Sequence, residues 1–302
     1  MRRAQVLDSL PIEASDFVVE IGSGPTPFRH TKLIIDKYPF ENTERHGDIV
    51  NIAPVVKADA VKLPLVDQGC DVIIMSHVIE HLPDPGPFIQ EAKRTAKHIY
   101  LEFPSIWREL MYSWSFHPWL VIAVGPKLTF YRNNIPQIFA DFFHTNYDFP
   151  FDLWSNERFE ELNTHMYVST EDLQCEIAET SALDFVLENS LVGDARINYR
   201  SKYGATGVGA VSYPLSARLK MLAWILTPEW LIKGRRRTGD RINQAVARPI
   251  SDDILRRMAC VVCQSGRLRL ERSGEQSGVA CQSCGKLFLS VKGILDFDSR
   301  GS

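Results

Sequence analysis

The sequence lacks a long apolar run. No uninterrupted stretch reaches the roughly 18 apolar residues that a membrane-spanning helix needs. The strongest apolar stretch, Trp119–Val124, is too short and stops at Gly125 and Pro126. No apolar run follows the opening Met1-Arg2-Arg3 either, so we expect no secretory signal.

Excess charge of one sign is also missing. The formal net charge is −3, and charged residues make up 24% of the 302 residues against 45% hydrophobic ones. This is ordinary globular usage, which excludes a disordered or low-complexity chain. Bulk electrostatics therefore demand no nucleic-acid partner, and the length is typical of about two domains.

Cysteines are few and unevenly placed. Two of the six stand alone, and the other four form two C-x2-C pairs separated by 17 residues. The pairs are Cys260 with Cys263 and Cys281 with Cys284. Without an export signal this spacing favours a metal over disulfides. We therefore expect a cytoplasmic protein. Four thiolates close a tetrahedral site, so we expect a structural zinc ion.

Short apolar segments alternate with helix-length segments in the first third of the chain. The pattern predicts strands at 17–21, 32–35, 54–58, 71–75 and 98–103 and a helix at 87–96. Such alternation indicates an α/β fold with a parallel sheet.

The rhythm changes after that point. Residues 105–165 are rich in aromatics and prolines and are interpreted as an insertion or lid over the sheet. Ser169, with Asp172 three residues on, predicts a helix over 169–179. Strands at 183–187 and 207–213 would complete a seven-stranded, mostly parallel sheet.

A glycine loop, Gly22-Ser23-Gly24, follows the first predicted strand. Such a turn lets the backbone approach a ligand closely. The dinucleotide pattern G-x-G-x-x-G matches weakly, because Phe28 lies at or beside the place of the third glycine. Pro25 and Pro27 remove two amide donors from a phosphate cradle, which argues against a diphosphate ligand.

An acidic series accompanies the loop. Glu20 precedes it, Asp36 ends the second predicted strand, and Asp59 follows the third. Carboxylates at these strand ends can accept ribose hydroxyls and an adenine amino group, and Glu20 can face a cationic portion. An adenosine with a cationic tail and no phosphates is S-adenosylmethionine (SAM).

At these residues the sequence resembles the class I SAM-dependent methyltransferases. The likeness covers roughly residues 15–105, and Cys70–Pro85 is similar to the fourth-strand motif of the small-molecule group. The resemblance implies that Glu20 and the glycine loop line the methionine part. It further implies ribose binding by Asp36, adenine binding by Asp59 with Ala60, and a pocket floor of Ser76 and His77.

Three histidines are candidates for the acceptor chemistry. His77 and His81 follow the fourth strand, where either could act as general base. The alternative is a buried structural histidine. Aromatics flank His117 and could stack on a sugar or an aromatic ring, although such residues are more often core.

The cysteine module, residues 251–302, is similar to the small zinc-ribbon activator subunit of tRNA, rRNA and release-factor methyltransferases. Here it would be fused, and we expect it to dock on its own catalytic domain. No N-P-P-Y-type tetrad follows the fourth strand, where Ser76-His77 stands instead. N-methylation of adenine or of a glutamine amide therefore loses support.

A basic and apolar connector, residues 214–250, separates that module from a catalytic domain over 1–213. Residues 216–272 carry 13 Lys and Arg against 5 Asp and Glu. Within it, 216–241 could dock under the ribbon, contact an anionic membrane at its inner face, or bind RNA phosphates.

The sequence therefore predicts a SAM-dependent methyltransferase that O-methylates a carbohydrate or another small hydroxylated acceptor. Two alternatives stay open. One is methylation of RNA or of a translation protein with a built-in activator, and the other is a non-catalytic SAM-binding scaffold.

Overall fold

The computed structural model describes residues 3–41, 47–136, 158–189, 248–273 and 276–298. The predicted strand at 207–213 and the segment 216–241 lie outside the described residues.

The main sheet contains the strands predicted from the first third of the chain. Its strands before the cysteine module are, in chain order, β1 (Val18–Ile21), β2 (Thr31–Asp36), β3 (Val55–Lys57), β4 (Cys70–Ser76), β5 (Ala96–Pro104) and β8 (Asn163–Ser169). Their spatial order is β3-β2-β1-β4-β5-β8, parallel throughout except that β8 runs antiparallel to β5. The five early strand predictions are confirmed, with ends moved by at most two residues. The seven-strand count stays a prediction.

The central strands are apolar because both sheet faces are covered. All four residues of β1 are buried, and Leu33, Ile34 and Ile35 of β2 are fully so. Helix α1 (Arg3–Ser9) and helix α2 (Pro85–Thr95) pack against this sheet through buried apolar side chains. Proline in its first turn and the Asp84 side chain, which accepts from Gly86 N at 2.9 Å, fix where α2 begins.

Part of the aromatic insertion forms a second, three-stranded sheet. After helix α3 (Ile106–Tyr112), the strands β6 (Trp119–Val124) and β7 (Lys127–Arg132) form a hairpin, and β9 (Gln174–Ser181) pairs with β7. The buried Trp119 Nε1 donates to Leu82 O at 2.7 Å. The hairpin is thereby fixed to the segment that follows β4.

Two predictions in this region were wrong. The helix expected over 169–179 is instead the end of β8, a turn and β9, and the strand expected at 183–187 lies in helix α5 (Ala182–Asn189). A short helix α4 (Phe159–Leu162) precedes β8. Strand β9 is largely exposed and buries no continuous face. Its conformation is therefore determined by its pairing with β7 and not by its local sequence pattern.

The cysteine module continues the main sheet. It consists of α6 (Asp252–Arg256), β10 (Leu268–Ser273), β11 (Gln276–Cys281), β12 (Leu287–Val291) and β13 (Ile294–Asp296). Strands β10 to β13 form an antiparallel meander, and β13 pairs in parallel with β3, so the sheet has ten described strands.

The junction between module and catalytic domain is both polar and apolar. Lys57 Nζ lies 2.9 Å from Asp296 Oδ2, and Phe297 N donates to Lys57 O at 2.7 Å. Phe288 and Phe297, whose rings lie 4.5 Å apart, belong to the same buried apolar cluster as the catalytic strands. The module therefore shares one core with the catalytic domain.

No helix in the described part of the chain is long and apolar enough to cross a bilayer.

Candidate cofactor crevice and metal centre

A crevice of about 600 Å³ opens at the carboxyl ends of β1 to β4. In an open α/β sheet this is the edge where ligands bind. Its walls consist of Ile21, Gly22, Asp36, Lys37, Tyr38, Glu41, Ala58, Asp59, Ala60, His77, Val78, His81, Leu82 and Phe116. The predicted residues Gly22, Asp36, Asp59 and Ala60 thus lie together with two of the three candidate histidines.

The glycine loop needs glycine for steric reasons. Gly22 has a φ of +66°, and a Cβ there would lie 2.5 Å from Val78 Cγ2. Gly24 also has a positive φ, +57°. Between them, Ser23 Oγ is buried without a hydrogen-bond partner among the described residues. Such a hydroxyl is suited to a polar group of a ligand.

Asp36 and Asp59 follow neighbouring strands and reach the same crevice. Asp36 Oδ1 accepts from Tyr38 N at 2.8 Å, which orients the carboxylate at the end of β2. Asp59 Oδ2 lies 2.8 Å from Lys37 Nζ, a contact that sequence reasoning missed. Lys37 directly follows Asp36, so its position at the end of the second predicted strand was the signal that could have identified it.

Glu20 and Ser76 lie outside the crevice walls. Glu20 Oε2 accepts from Phe28 N at 2.9 Å and from Thr31 Oγ1 at 2.7 Å. Burial raises the pKa of Glu20, against these two hydrogen bonds. Ser76 Oγ accepts from Arg3 Nη2 at 3.0 Å. In this structure Glu20 therefore anchors the segment between the glycine loop and β2, and Ser76 contacts the N-terminal helix.

Glu102, at the end of β5, is the centre of a buried polar cluster. Arg3 Nε lies 2.9 Å from Glu102 Oε2, Tyr100 OH donates to the same oxygen at 3.1 Å, and His77 Nε2 lies 3.3 Å from Oε1. Burial alone would raise the pKa of Glu102. The hydrogen bonds and positive charges of His77 and Arg3 outweigh it and lower that pKa to about 2.

His77 is conformationally strained, with a φ of +52° that non-glycine residues rarely adopt. Its Nδ1 lies 3.2 Å from Glu80 Oε1, and Arg108 Nη1 lies 3.3 Å from its Nε2. Burial alone would lower the pKa of His77, but the hydrogen bonds to Glu102 and Glu80 raise it above its usual value. Both carboxylates favour the protonated ring, and a protonated ring cannot accept a proton from an acceptor hydroxyl.

His81 lines the crevice, whereas His117 lies behind it. The His81 ring stacks on Phe116 at 5.5 Å and meets the His117 ring edge-on at 4.5 Å. His117 is buried, and its Nδ1 lies 2.5 Å from Glu109 Oε1. Of the three candidate histidines, His81 is the one best placed to meet an acceptor.

Sequence reasoning missed Arg3, Glu102 and Arg108. Glu102 had a usable signal, because it is another acidic residue at the end of a predicted strand. Arg3 lies 99 residues from Glu102 and carries no local pattern that points to this cluster.

The four paired cysteines converge. Cys260 Sγ lies 3.7 Å from Cys284 Sγ, and Cys263 Sγ lies 3.6 Å from Cys281 Sγ. All four sulfurs are within 4.8 Å of one another. Sulfurs about 2.3 Å from a central tetrahedral zinc would be about 3.8 Å apart, so the geometry fits zinc.

Each pair lies on a tight turn of the same design. Gln264 N donates to Cys260 O at 2.8 Å, and Gly285 N donates to Cys281 O at 2.9 Å. Gln264 and Gly285 both have positive φ, +59° and +77°. The repeated turn is what presents two sulfurs from each pair to a common centre.

Comparison with known proteins agrees with this architecture. Residues 29–98 match the family model described as a methyltransferase domain. That segment spans β2 to the start of β5 and includes Asp36, Asp59, His77 and His81. The match supports a class I methyltransferase. No curated protein matches the chain.

Solved structures give partial similarities. A SAM-dependent methyltransferase from Aquifex aeolicus is 20% identical, over 34% of this chain and 64% of that one, with a TM-score of 0.26. One from Archaeoglobus fulgidus is 23% identical, over 38% and 58%, with a TM-score of 0.28. A Haloferax volcanii complex of the Trm112 methyltransferase activator with a methyltransferase is 16% identical, over 40% and 68%, with a TM-score of 0.30. The chain thus spans less than two thirds of the first two, and these similarities assign no substrate.

Proposed function

We propose that the protein transfers the methyl group of SAM to an oxygen of a small hydroxylated acceptor, such as a carbohydrate. The observation that supports this most is that Gly22, Asp36 and Asp59 line the same crevice as His81. Asp36 would accept the ribose hydroxyls, and Asp59 with Ala60 would face the adenine.

Methyl transfer needs the acceptor oxygen held in line with the sulfonium methyl, and alignment supplies much of the acceleration. The acceptor would lie on the side of the crevice formed by His81, Leu82 and Phe116. Phe116 is partly exposed and offers an apolar face to a sugar or aromatic ring. In this proposal His81 lies beside the acceptor hydroxyl and contributes to removing its proton.

The cofactor part is tested by calorimetry with SAM. Asp36→Ala removes the ribose partner and is expected to weaken SAM binding at least about tenfold, the equivalent of one lost charged hydrogen bond. Asp172→Ala, an exposed carboxylate outside the crevice, is the matched control and should bind as wild type. Unchanged affinity in Asp36→Ala would remove the ribose assignment.

We also propose that the four cysteines bind one structural zinc ion and that the ribbon supports the catalytic domain. All four positions of the tetrahedron would be filled by sulfur, which leaves no position for a substrate. The ribbon would act by extending the sheet beside β3, the strand that leads to Asp59.

RNA or a translation protein is the second candidate acceptor. The continuity of the ribbon with the catalytic sheet favours it, because the ribbon resembles an activator subunit of such enzymes. Labelled SAM incubated with fractionated cell extract separates the two candidates. Label in small glycans or metabolites supports the first candidate, and label in RNA or protein alone would replace it with the second.

A further inference from the structure

A second set of metal-type ligands lies beside the crevice, apart from the four cysteines. Glu80, His81 and His117 each offer one ligand atom, and these three atoms lie within 4.8 Å of one another. Two imidazoles and one carboxylate form the set that binds divalent transition metals while leaving coordination positions open.

Glu80 supplies an independent indication of a ligand. The residue is 1% exposed, and its Oε1 lies 3.2 Å from His77 Nδ1. Its Oε2 is buried and has no hydrogen-bond partner in the described part of the chain. A buried carboxylate oxygen without a donor is costly, and coordination to a cation would satisfy it.

His117 is oriented as metal-bound histidines are. Glu109 Oε1 lies 2.5 Å from His117 Nδ1, which leaves Nε2 as the nitrogen for a ligand bond. An outer carboxylate of this kind fixes the ring and increases the basicity of the coordinating nitrogen. Glu109 is itself 1% exposed, so the pair is built into the interior.

The fold holds the three side chains on two adjoining segments. Glu80 and His81 belong to a single helical turn, Ile79–His81, directly after β4, and His117 precedes β6. The two imidazole rings meet edge-on at 4.5 Å. Donors about 2.0–2.2 Å from a shared ion lie about 3.0–3.6 Å apart, so small side-chain rotations suffice to complete the site.

We propose that Glu80, His81 and His117 bind a divalent transition-metal ion at the edge of the crevice. His81 would then contribute to deprotonation as a metal ligand and would not itself take the proton. An open coordination position would hold the acceptor oxygen, whose proton would pass to water in the crevice. The oxygen would then take the methyl group of SAM, and S-adenosylhomocysteine would leave. This acceptor role rests on the proposed methyl transfer, whereas the binding of the metal does not.

The probe is Co²⁺, added to the purified full-length protein without prior removal of its metal, so that the ribbon stays loaded. The wild type is expected to take up one added equivalent, with weak ligand-field absorption and no thiolate charge-transfer band. His117→Ala and Glu80→Gln should each weaken this uptake at least tenfold while keeping the metal already present. His98→Ala, a ring that stacks on Tyr167 away from the crevice, is the control and should bind as wild type.

Uptake of no added Co²⁺ by the wild type would overturn the proposal, whatever the variants do. So would an added equivalent that persists unchanged in His117→Ala, or one that shows the thiolate band. Circular dichroism of each variant verifies that it is folded. SAM calorimetry on the same samples keeps the two proposals separate. A wild-type protein that takes up Co²⁺ but binds no SAM would contradict only the proposed methyl transfer.

Discussion

The crevice and the cysteine ribbon are assembled in opposite ways. The ribbon takes its four sulfurs from two turns, 260–263 and 281–284, each closed by its own backbone hydrogen bond. The crevice and its adjoining cluster join Arg3, Glu102 and His117, which come from a helix, a strand end and a loop. A site built from local turns is visible as spacing in the sequence, whereas these three residues of a site built across a sheet leave no such spacing.

The two regions nevertheless depend on each other. Strand β13 of the ribbon pairs with β3, and Phe297 packs into the cluster that also contains Leu33 and Ile73. A small module such as this cannot bury enough apolar surface to fold alone. Shared burial and metal binding together would supply what it lacks.

The largest expected effect on stability comes from removing a sulfur of the four-cysteine site. Cys281→Ser removes one of four sulfurs from a buried position, so we expect loss of the bound metal and a decrease of at least about 4 kcal/mol in the free energy of unfolding. Metal analysis and urea denaturation measure both. Cys175→Ser, a half-buried cysteine outside the cluster, should keep its metal and lose less than about 1 kcal/mol. A Cys281→Ser protein with its metal intact would contradict the zinc assignment.

The second largest effect on stability is expected from truncating a side chain in the shared core. Phe297→Ala removes a ring that is 1% exposed and stacks on Phe288, with an expected cost of about 3–5 kcal/mol. Because the core is continuous, the protein should still unfold in a single transition, seen alike by fluorescence and circular dichroism. Val291→Ala, at an exposed position of β12, should change stability little. Two separated transitions in the wild type would show that ribbon and catalytic domain fold independently.

The cluster at Glu102 predicts a pH effect. The pKa of Glu102 falls from an ordinary 4.5 to about 2 in the folded protein, so the ionised form stabilises the fold above pH 4.5. That contribution, about 3 kcal/mol at most, is lost as the pH falls from about 5 towards 2. Glu102→Gln should flatten this part of the stability profile in urea titrations, while Glu171→Gln at an exposed position should not. An equally steep profile in Glu102→Gln would assign the acid sensitivity to other carboxylates.

The smallest effect is expected at the ion pair of the junction. Lys57 and Asp296 are 28% and 26% exposed, so Lys57→Ala should cost no more than about 1 kcal/mol and less at high salt. Lys97→Ala, which breaks a more exposed pair with Asp71 outside the β13–β3 junction, provides the reference. A loss several-fold larger than that of Lys97→Ala would mean that the ion pair, and not the shared core, holds the ribbon in place.

Some expectations failed where neighbours override local pattern. Residues 174–179 were predicted as part of a helix, yet they belong to β9, which pairs with β7. Residues 183–187 were predicted as a strand, yet they are helical. Both segments lie beside the aromatic insertion, where the small sheet determines the conformation. Residues 72–75, which are buried on both faces, followed their local pattern closely.

The sequence by itself determined the strands β1 to β5, the carboxylates Asp36 and Asp59 at their ends, and the spacing of the four cysteines. These features leave local patterns in the sequence, namely short apolar segments, acidic residues at their ends and paired cysteines, which report the structure directly. Only the tertiary structure decided that Glu80, His81 and His117 converge, that Arg3 reaches Glu102, and that β13 extends the sheet at β3. The last contact joins residues 239 positions apart, and such pairings depend on packing across the whole core, which no local pattern encodes.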